Sequence, residues 1–211
     1  MAKIMVAYVH PGMVHHIWVT SMFQQISNQN HVYIYNGCGS GPLIARARNK
    51  LAYDFYEQKD VDYLLFTDTD NAWQPDDVDK LIARDKPIVG ALYRGVNETD
   101  QDNRVFHVCL IEEDGVYVKP DWAYIDKWGA RNKGLIKVAV VGMGFTLIRR
   151  EVIDTLKVET EQLWPFAEII SPKTGQAAGE DTTFCERAKD AGFDSYIDSK
   201  VMVAHIKPQL V

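Results

Sequence analysis

The chain has 211 residues, of which 46% are hydrophobic and 25% are charged, and its formal net charge is −6. A chain of this length can bury a sizeable core and most simply forms one domain, residues 1–211. The acidic balance argues against a broad nucleic-acid-binding face but not against a local basic groove. No apolar run is long enough to cross a membrane, so we expect no membrane partner.

The N-terminus and the cysteines favour a cytoplasmic protein. Residues 1–10 are typical of a first strand rather than of a signal peptide, because no cleavable small-residue site follows them. Cys38, Cys109 and Cys185 are odd in number and far apart, with no Cys-x-x-Cys pair. We therefore expect buried thiols in a reducing cytosol.

Predicted strands and helices alternate along the first half of the chain. In order they are a strand at 4–9, a helix at 15–27, a strand at 32–35, a helix with apolar residues at four-residue spacing (Leu43, Ala47, Leu51 and Phe55), a strand at 64–67, a helix at 75–84 and a strand at 88–93. The glycine-rich run 37–42 predicts a flexible turn. Strands separated by helices indicate a mostly parallel sheet with right-handed crossovers.

The second half of the chain is less regular. Its predicted elements are a hairpin of strands 105–111 and 116–119, strands 138–141 and 145–148 on either side of Gly142-Met143-Gly144, a helix at 182–191 closed by Gly192, and a strand at 196–204. The change divides the domain into a nucleotide-binding half, 1–95, and an acceptor-side half, 96–211. The expected fold class is α/β, with a mostly parallel Rossmann-like sheet and an irregular acceptor-side half.

A pair of carboxylates at the end of a buried strand is the most informative motif. Asp68 and Asp70 follow the apolar run 64–67 with one residue between them. Carboxylate oxygens suit Mg²⁺ or Mn²⁺, which usually keep waters and bind substrate phosphates. The carboxyl ends of parallel strands are also where α/β sheets bind ligands. The alternative is that both residues cap the helix that starts at Pro75.

Three further features are compatible with a metal–phosphate site at this position. Arg48 lies beside the apolar stripe of its helix, where it can hold a carboxylate or meet a phosphate. Glu180 and Asp181 precede a helix, either as ordinary acidic caps or as a general base for an acceptor hydroxyl. His205 ends the last strand, either as a structural side chain or as a Mn²⁺ ligand with Asp70.

The segment 119–137 combines aromatic and basic residues on an otherwise acidic chain. Its aromatic members are Trp122, Tyr124 and Trp128, and its basic members are Lys119, Lys127, Arg131, Lys133 and Lys137. Such interleaving can hold a nucleobase or sugar face while the cations meet phosphates. The simpler interpretation, which we favour, is a solvated loop with some of its rings packed on the preceding hairpin.

Taken together, these motifs resemble GT-A-type glycosyltransferases of the family-two-like kind, especially the compact versions found in bacteriophages. The resemblance covers nearly the whole chain. It is carried by Pro11-Gly12-Met13-Val14-His15, Ala47-Arg48-Asn49, Asp68-Thr69-Asp70, Gly142-Met143-Gly144-Phe145, Gly179-Glu180-Asp181 and His205. It implies the GT-A fold, a nucleoside-diphosphate sugar as donor, with a UDP-sugar favoured, and Mn²⁺ or Mg²⁺ as cofactor.

The resemblance also implies roles for single residues. Asp70 and His205 become metal ligands, and Asp68 counts both as a metal residue and as a nucleotide contact. Asp181 becomes the candidate catalytic base, with Glu180 next in line.

The residues that the resemblance implies for nucleotide binding match the family pattern less well. Many relatives carry a Pro-x-x-Gly or Pro-x-Tyr loop after strand one, whereas this chain has Val9-His10-Pro11-Gly12. Base and ribose contacts from Tyr8, His10 and Pro11 are predicted on that reduced basis. Arg48 is predicted to bind the cofactor through a phosphate. Gly142 and Gly144 either let the backbone approach the donor sugar or form a bulge.

The acceptor implied by the phage versions is a hydroxymethylated DNA base, such as a 5-hydroxymethyl pyrimidine bound by segment 119–137, and the site of action would then be the host cytoplasm. A saccharide or protein acceptor is the alternative. Two other classes remain open: a nucleotidyltransferase, which would be expected to carry an early Gly-rich loop with Arg and Lys, and a non-catalytic nucleotide-sugar-binding module. The sequence does not indicate an oligomeric state.

Overall fold

A computed structural model describes residues 1–41, 43–93, 109–160, 165–173 and 175–205, without the side chains of Trp122 and of residues 157–160. The helices are α1 (His16–Asn28), α2 (Ile44–Glu57), α3 (Asp77–Ala83), α4 (Trp122–Arg131), α5 (Arg150–Thr160) and α6 (Glu180–Asp190). The strands are β1 (Lys3–His10), β2 (Val32–Gly39), β3 (Tyr63–Asp68), β4 (Asn71–Ala72), β5 (Ile88–Tyr93), β6 (Cys109–Glu113), β7 (Val116–Val118), β8 (Leu135–Val138), β9 (Val140–Val141), β10 (Phe145–Arg149), β11 (Ile169–Ile170), β12 (Ala177–Ala178) and β13 (Ser195–His205).

The main sheet has the strand order β2-β1-β3-β10-β5-β13-β4, and β8 also pairs with β13. β1 is parallel to β2 and to β3, and β13 is parallel to β5, as the alternating pattern predicts. β10 lies antiparallel between β3 and β5. It starts at the edge where β3 ends and therefore runs in the opposite direction. The α/β class is confirmed, with one antiparallel strand at its centre.

Helix α2 shows how the apolar pattern works in this fold. Ala47, Leu51 and Phe55 are buried against the sheet at the predicted four-residue spacing. Leu43 was expected in the same stripe, but it occupies the N-cap position and is 58% exposed. The helix therefore begins one residue later than the stripe suggests.

The glycine-rich run after residue 35 is strand rather than turn for its first three residues, because β2 continues to Gly39. The aromatic ring of Tyr8 on β1 lies directly over Gly37, where any Cβ would clash with it. Glycine thus serves close packing inside a strand here, and the turn is shorter than predicted.

The prediction of a loop at segment 119–137 is wrong, because the segment contains helix α4. Asp121 caps that helix by accepting a hydrogen bond from the Tyr124 amide at 2.7 Å, and Ile125 is buried. Aromatic residues and an internal glycine give this stretch low helix propensity, so packing decides the outcome. Helix α5 and the short strand β4 were not predicted at all.

The predicted hairpin is formed by β6 and β7, and it turns at Asp114 and Gly115, both of which have positive φ. The predicted residues 105–108 lie outside the described part of the chain. Helix α6 starts two residues earlier than predicted and ends before Gly192, whose φ is +91°.

The three cysteines are free thiols, and Cys109 and Cys185 are buried as expected. Burial raises the pKa of both thiols to about 12. Cys38 differs from the expectation because it is only half-buried on edge strand β2. In the described ranges, none of the helices has the length and apolar character that crossing a bilayer requires.

Candidate active site at the carboxyl edge of the sheet

The sheet brings the predicted residues to one edge. The parallel strands β1, β3, β5 and β13 end there at His10, Asp68, Tyr93 and His205, respectively. This is the edge at which open α/β sheets bind their ligands.

Gly144 organises the turn that carries the paired carboxylates. Its carbonyl accepts hydrogen bonds from the Asp68 amide at 2.8 Å and from Asn71 Nδ2 at 2.6 Å. A Cβ at Gly144 would lie 2.6 Å from the Tyr93 hydroxyl oxygen and 3.0 Å from Asp68 Oδ2, so no larger residue fits. Gly142 is buried beside it, and its carbonyl accepts from Thr146 Oγ1 at 2.7 Å.

Asp70 and His205 are in contact although they are far apart in sequence. His205 Nε2 lies 3.1 Å from Asp70 Oδ2, and His205 is the register partner of Asn71 in the β4–β13 pair. To reach this point β13 makes an irregularity between Asp198 and Met202. Asp198 is fully buried there and receives two hydrogen bonds from Arg84, at 2.6 and 2.8 Å.

The Asp70–His205 pair fits a divalent cation. Asp70 Oδ1 is buried and has no hydrogen-bond partner among the residues that the structure describes. A carboxylate oxygen and an imidazole nitrogen suit Mn²⁺, and the carboxylate suits Mg²⁺. Across the residues that the structure describes, no three His, Cys, Asp or Glu side chains are grouped so as to hold an ion by themselves. A cation here would complete its shell with substrate oxygens and water, as Mg²⁺ and Mn²⁺ sites on phosphates do.

Arg48 joins three of the predicted acidic residues. It is only 4% exposed, and its guanidinium lies 3.5 Å from Asp68 Oδ1, 3.5 Å from Glu180 Oε1 and 3.7 Å from Asp181 Oδ1. Burial alone would lower the pKa of Arg48, but Asp181, Asp68 and Glu180 together raise it. The side chain therefore stays charged and draws the end of β3 and the start of α6 to one point.

Asn49, the residue after Arg48, holds the chain that precedes α6 in place. Asn49 Nδ2 donates to the Phe166 carbonyl at 2.7 Å, and its Oδ1 accepts from the Phe166 amide at 2.9 Å. The Phe166 ring in turn stacks on Phe184 of α6 at 4.7 Å. Adjacent residues of α2 thus hold both the first turn of α6 and the chain that leads into it.

Asp181 has the surroundings of a proton acceptor. Its Oδ2 accepts a hydrogen bond from the Met143 amide at 3.1 Å. Its Oδ1 is buried, and none of the described residues hydrogen-bonds it. Burial raises the pKa of Asp181 to about 6, and the Glu180 and Asp68 charges act in the same direction. The positive charge of Arg48 and the Met143 amide oppose the rise.

Sequence reasoning missed Tyr93 and Asn71. Tyr93 is 7% exposed, its hydroxyl lies against Gly144, and its ring centre is 5.6 Å from that of His205. Burial first, and then Asp68 and Asp181, raise the pKa of Tyr93 well above its ordinary value. Its place at the end of a predicted parallel strand was the available signal. Asn71 was taken only as a residue that ends the strand, whereas its buried amide fixes the turn.

The predicted nucleotide-side residues lie next to the carboxylates. Val9 is the register partner of Asp68, so Tyr8 and His10 flank the end of β3. His10 Nδ1 accepts from the Gly12 amide at 3.1 Å, which shapes the turn after β1, and Pro11 is exposed in that turn. Farther along, the His15 amide donates to the Thr69 carbonyl at 3.0 Å. The loop after β1 is therefore attached to the middle of the Asp68–Asp70 turn.

Segment 119–137 offers fewer free cations than its sequence implies. Lys137 pairs with Asp194 at 2.7 Å, and the Arg131 guanidinium lies 5.3 Å from the centre of the Trp128 ring. The Tyr124 and Trp128 rings pack at 5.9 Å from each other. Lys127 and Lys133 are exposed.

No protein-family model matches this sequence, and no curated protein matches it. Among solved structures, A197 from STIV has a TM-score of 0.63 and 20% identity, over 98% of this chain and 86% of its own. GalNAc-T7 with UDP, GalNAc and Mn²⁺ has a TM-score of 0.60 and 12% identity, over 98% of this chain and 44% of its own. This chain has a GT-A fold. At these identities the likeness establishes the fold alone.

Proposed function

We propose that this protein is a metal-dependent glycosyltransferase that moves a sugar from a nucleoside-diphosphate sugar, UDP-linked by preference, to an acceptor hydroxyl. The observation that carries the proposal is the shared contact at Arg48. Asp68 of the paired carboxylates and Asp181 of the Glu-Asp pair both face this one buried guanidinium. Motifs far apart in sequence therefore form one site beside the Asp70–His205 pair.

The fold that this chain shares with GalNAc-T7 supports the same reaction class. GalNAc-T7 carries UDP, GalNAc and Mn²⁺ in its solved complex. The present chain has the same fold and a carboxylate–imidazole pair at the carboxyl edge of its own sheet. Asp70 and His205 would hold the cation, and Asp68, Tyr8, His10 and Pro11 would contact the nucleotide. A divalent cation bound there supplies positive charge against the donor diphosphate.

In the proposed transfer, Asp181 accepts the proton of the acceptor hydroxyl while that oxygen bonds to the anomeric carbon. The bond from that carbon to the diphosphate breaks, and the diphosphate leaves with the bonding electrons. Arg48 and the Met143 amide hold Asp181 in place for this step. Attack by the acceptor itself inverts the configuration at the anomeric carbon.

The acceptor in this proposal is a hydroxyl of one of two classes. One is a 5-hydroxymethyl pyrimidine in DNA, with segment 119–137 as the contacting surface. The other is a saccharide or protein hydroxyl, which suits an acidic chain equally well. Transfer assays with both classes decide between them.

The test is calorimetry with UDP, with and without Mn²⁺, followed by a screen of sugar nucleotides for slow Mn²⁺-dependent hydrolysis. Asp70→Ala should abolish the Mn²⁺-dependent part of UDP binding, because the diphosphate then faces Asp68 without a neutralising cation. Asp76→Ala removes an exposed aspartate of a neighbouring helix start and should change nothing.

Asp181→Asn separates binding from chemistry. The amide preserves shape but accepts no proton, so donor binding should persist while transfer is lost. Transfer near the wild-type rate would place the base at Glu180 or indicate a retaining mechanism. Equal UDP affinity with and without Mn²⁺ would contradict the proposal as a whole.

A further inference from the structure

The backbone of Met143 and Gly144 lies between the two halves of the candidate site. On one side the Met143 amide donates to Asp181 Oδ2 at 3.1 Å, and the Met143 carbonyl accepts from Arg48 Nη1 at 3.4 Å. On the other side the Gly144 carbonyl accepts from the Asp68 amide at 2.8 Å. A side chain that holds this backbone in place therefore fixes Asp181 and Asp68 relative to each other.

The hydroxyl end of Tyr93 packs against this backbone. A Cβ at Gly144 would lie 2.6 Å from Tyr93 Oη and 2.7 Å from Tyr93 Cζ, so the phenol and the glycine are in close contact. Burial raises the pKa of Tyr93, and the Gly144 backbone amide, which faces the hydroxyl oxygen, opposes that rise. Removal of the hydroxyl would leave a gap beside the turn, into which the backbone could shift.

The ring of Tyr93 contacts the side chain on the other side of the site. Its centre lies 5.6 Å from that of the His205 imidazole, with 64° between the two planes, which is the edge-to-face packing that aromatic pairs prefer. Strand pairing sets this approach, because Tyr93 ends β5 and is the register partner of Val203 on β13. The ring thus limits how the imidazole beside Asp70 can turn.

We propose that Tyr93 is a positioning residue for both halves of the site. Its ring holds the His205 imidazole in the orientation that a cation needs, and its hydroxyl holds the Met143–Gly144 backbone that places Asp181. The inference rests on the proposed function, because it takes His205 as a cation ligand and Asp181 as the base. Tyr93 is buried and its hydroxyl faces the Gly144 backbone, so it acts through these residues rather than on the substrate.

Tyr93→Phe and Tyr93→Leu separate the two contacts. Tyr93→Phe keeps the ring, so Mn²⁺ affinity in the presence of UDP should stay within about threefold of the wild type. Its kcat for Mn²⁺-dependent donor hydrolysis, in which water replaces the acceptor, should fall roughly tenfold because the base is displaced. Tyr93→Leu lacks the ring as well, so Mn²⁺ affinity should also fall, by roughly tenfold or more.

Two controls distinguish positioning from a loss of folded protein. Tyr35→Phe removes the hydroxyl of a half-buried tyrosine that bonds the Met22 carbonyl, and it should change neither quantity. Misfolding lowers the number of binding sites per chain rather than the affinity of each site, and calorimetry measures both. Far-ultraviolet circular dichroism verifies that each variant is folded.

A further measurement needs neither metal nor donor. In NMR spectra the His205 ring protons should shift in Tyr93→Leu, which loses the neighbouring aromatic ring, and should keep their place in Tyr93→Phe.

Three results would overturn the positioning role while leaving the proposed function intact. They are equal Mn²⁺ affinity in Tyr93→Leu and the wild type, an unchanged kcat in Tyr93→Phe, and His205 ring signals that Tyr93→Leu does not move. A wild type whose UDP affinity Mn²⁺ does not change would instead overturn the proposed function and the positioning role together.

Discussion

Asp70 and Asp181 are the same residue type at the same edge of the sheet, yet their surroundings prepare them for different tasks. One oxygen of Asp70 lies beside the His205 imidazole, and the other is buried with no hydrogen-bond partner in the described part of the chain. Burial, together with the charges of Glu180 and Asp68, raises the pKa of Asp181 to about 6. This contrast supports the proposed division of roles, with Asp70 as a cation ligand and Asp181 as a base near neutral pH.

The raised pKa of Asp181 gives a pH dependence with a definite sign. A base must be ionised, so kcat/KM should fall as the pH drops below about 6. Glu180→Gln removes a charge that raises this pKa, and the acid limb should therefore move to lower pH. The measurement is a pH–rate profile with Mn²⁺ saturating at every pH. An acid limb that Glu180→Gln leaves unmoved would show that another group controls it.

Asp181 also contributes to folding stability, and this contribution favours low pH. Because its folded-state pKa of about 6 lies above its ordinary value of 3.8, the folded protein holds this proton more tightly than the unfolded chain does. The contribution is present below that ordinary value and is lost as the pH rises through 6. Asp181 therefore lowers stability at the pH at which the proposed base is ionised.

His205→Ala tests the second proposed ligand. Loss of the imidazole should weaken Mn²⁺ affinity by roughly ten- to a hundredfold, as is usual when a metal site is perturbed. A Mn²⁺ titration by calorimetry, in the presence of UDP, measures this. His31 is a suitable control, because it bonds Asp79 and the Ala2 amide far from the site. An unchanged titration curve in His205→Ala would return His205 to a structural role.

At the scale of elements, α2 connects the two halves of the site. Asn49→Ala should lower the free energy of unfolding by about 2 kcal/mol, because it leaves the Phe166 amide and carbonyl without partners in a buried position. Urea denaturation measures the change. Asn30→Ala removes an exposed hydrogen bond to Asp79 and should cost less than about 0.5 kcal/mol. Equal effects of the two substitutions would show that the bridge to Phe166 is not needed.

Elements with local signals could be predicted from the sequence. Apolar runs located β1, β3 and β5, and spacing with end residues located α1, α2 and α6, to within a few residues. Elements fixed by distant contacts could not. α4 forms in spite of its aromatic and glycine content, and β10 runs against its neighbours because of where β3 ends.

The candidate site was likewise predictable from the sequence only in part. Residue types and spacing indicated Asp68, Asp70, Arg48, Asp181 and His205, because each type carries its chemistry with it. Their mutual contacts depend on packing between elements far apart in sequence, and no local pattern encodes that Arg48 faces both Asp68 and Asp181. Tyr93 was missed because a tyrosine that ends a buried strand is most simply a core residue.

At the scale of the whole molecule, the salt dependence of transfer tests whether the acceptor is DNA. If DNA is the acceptor, transfer to hydroxymethylated duplex should fall steeply as salt rises, since phosphate contacts release counterions. Lys127→Ala on exposed α4 should then reduce the slope of log activity against log salt by about one. Lys50→Ala, on α2 and bonded to Asp54, is the matched control. The measurement is sugar transfer to hydroxymethylated and unmodified duplexes across a salt series.

Two results would exclude DNA as the acceptor. One is an absence of transfer to either duplex while donor hydrolysis persists, and the other is transfer that salt does not affect. Either result would assign the acceptor to the saccharide or protein class.

The hydrogen bond from the His15 amide to the Thr69 carbonyl has a thermodynamic consequence. Thr69 lies between Asp68 and Asp70, so the loop after β1 and the carboxylate turn share one fixed point. To the extent that a cation orders the turn, it also orders the loop that would meet a nucleobase. Linkage is reciprocal. If the cation strengthens binding of the matching nucleobase by some factor, that nucleobase must strengthen binding of the cation by the same factor. Selectivity for the base would thus be measurable as a difference in metal affinity.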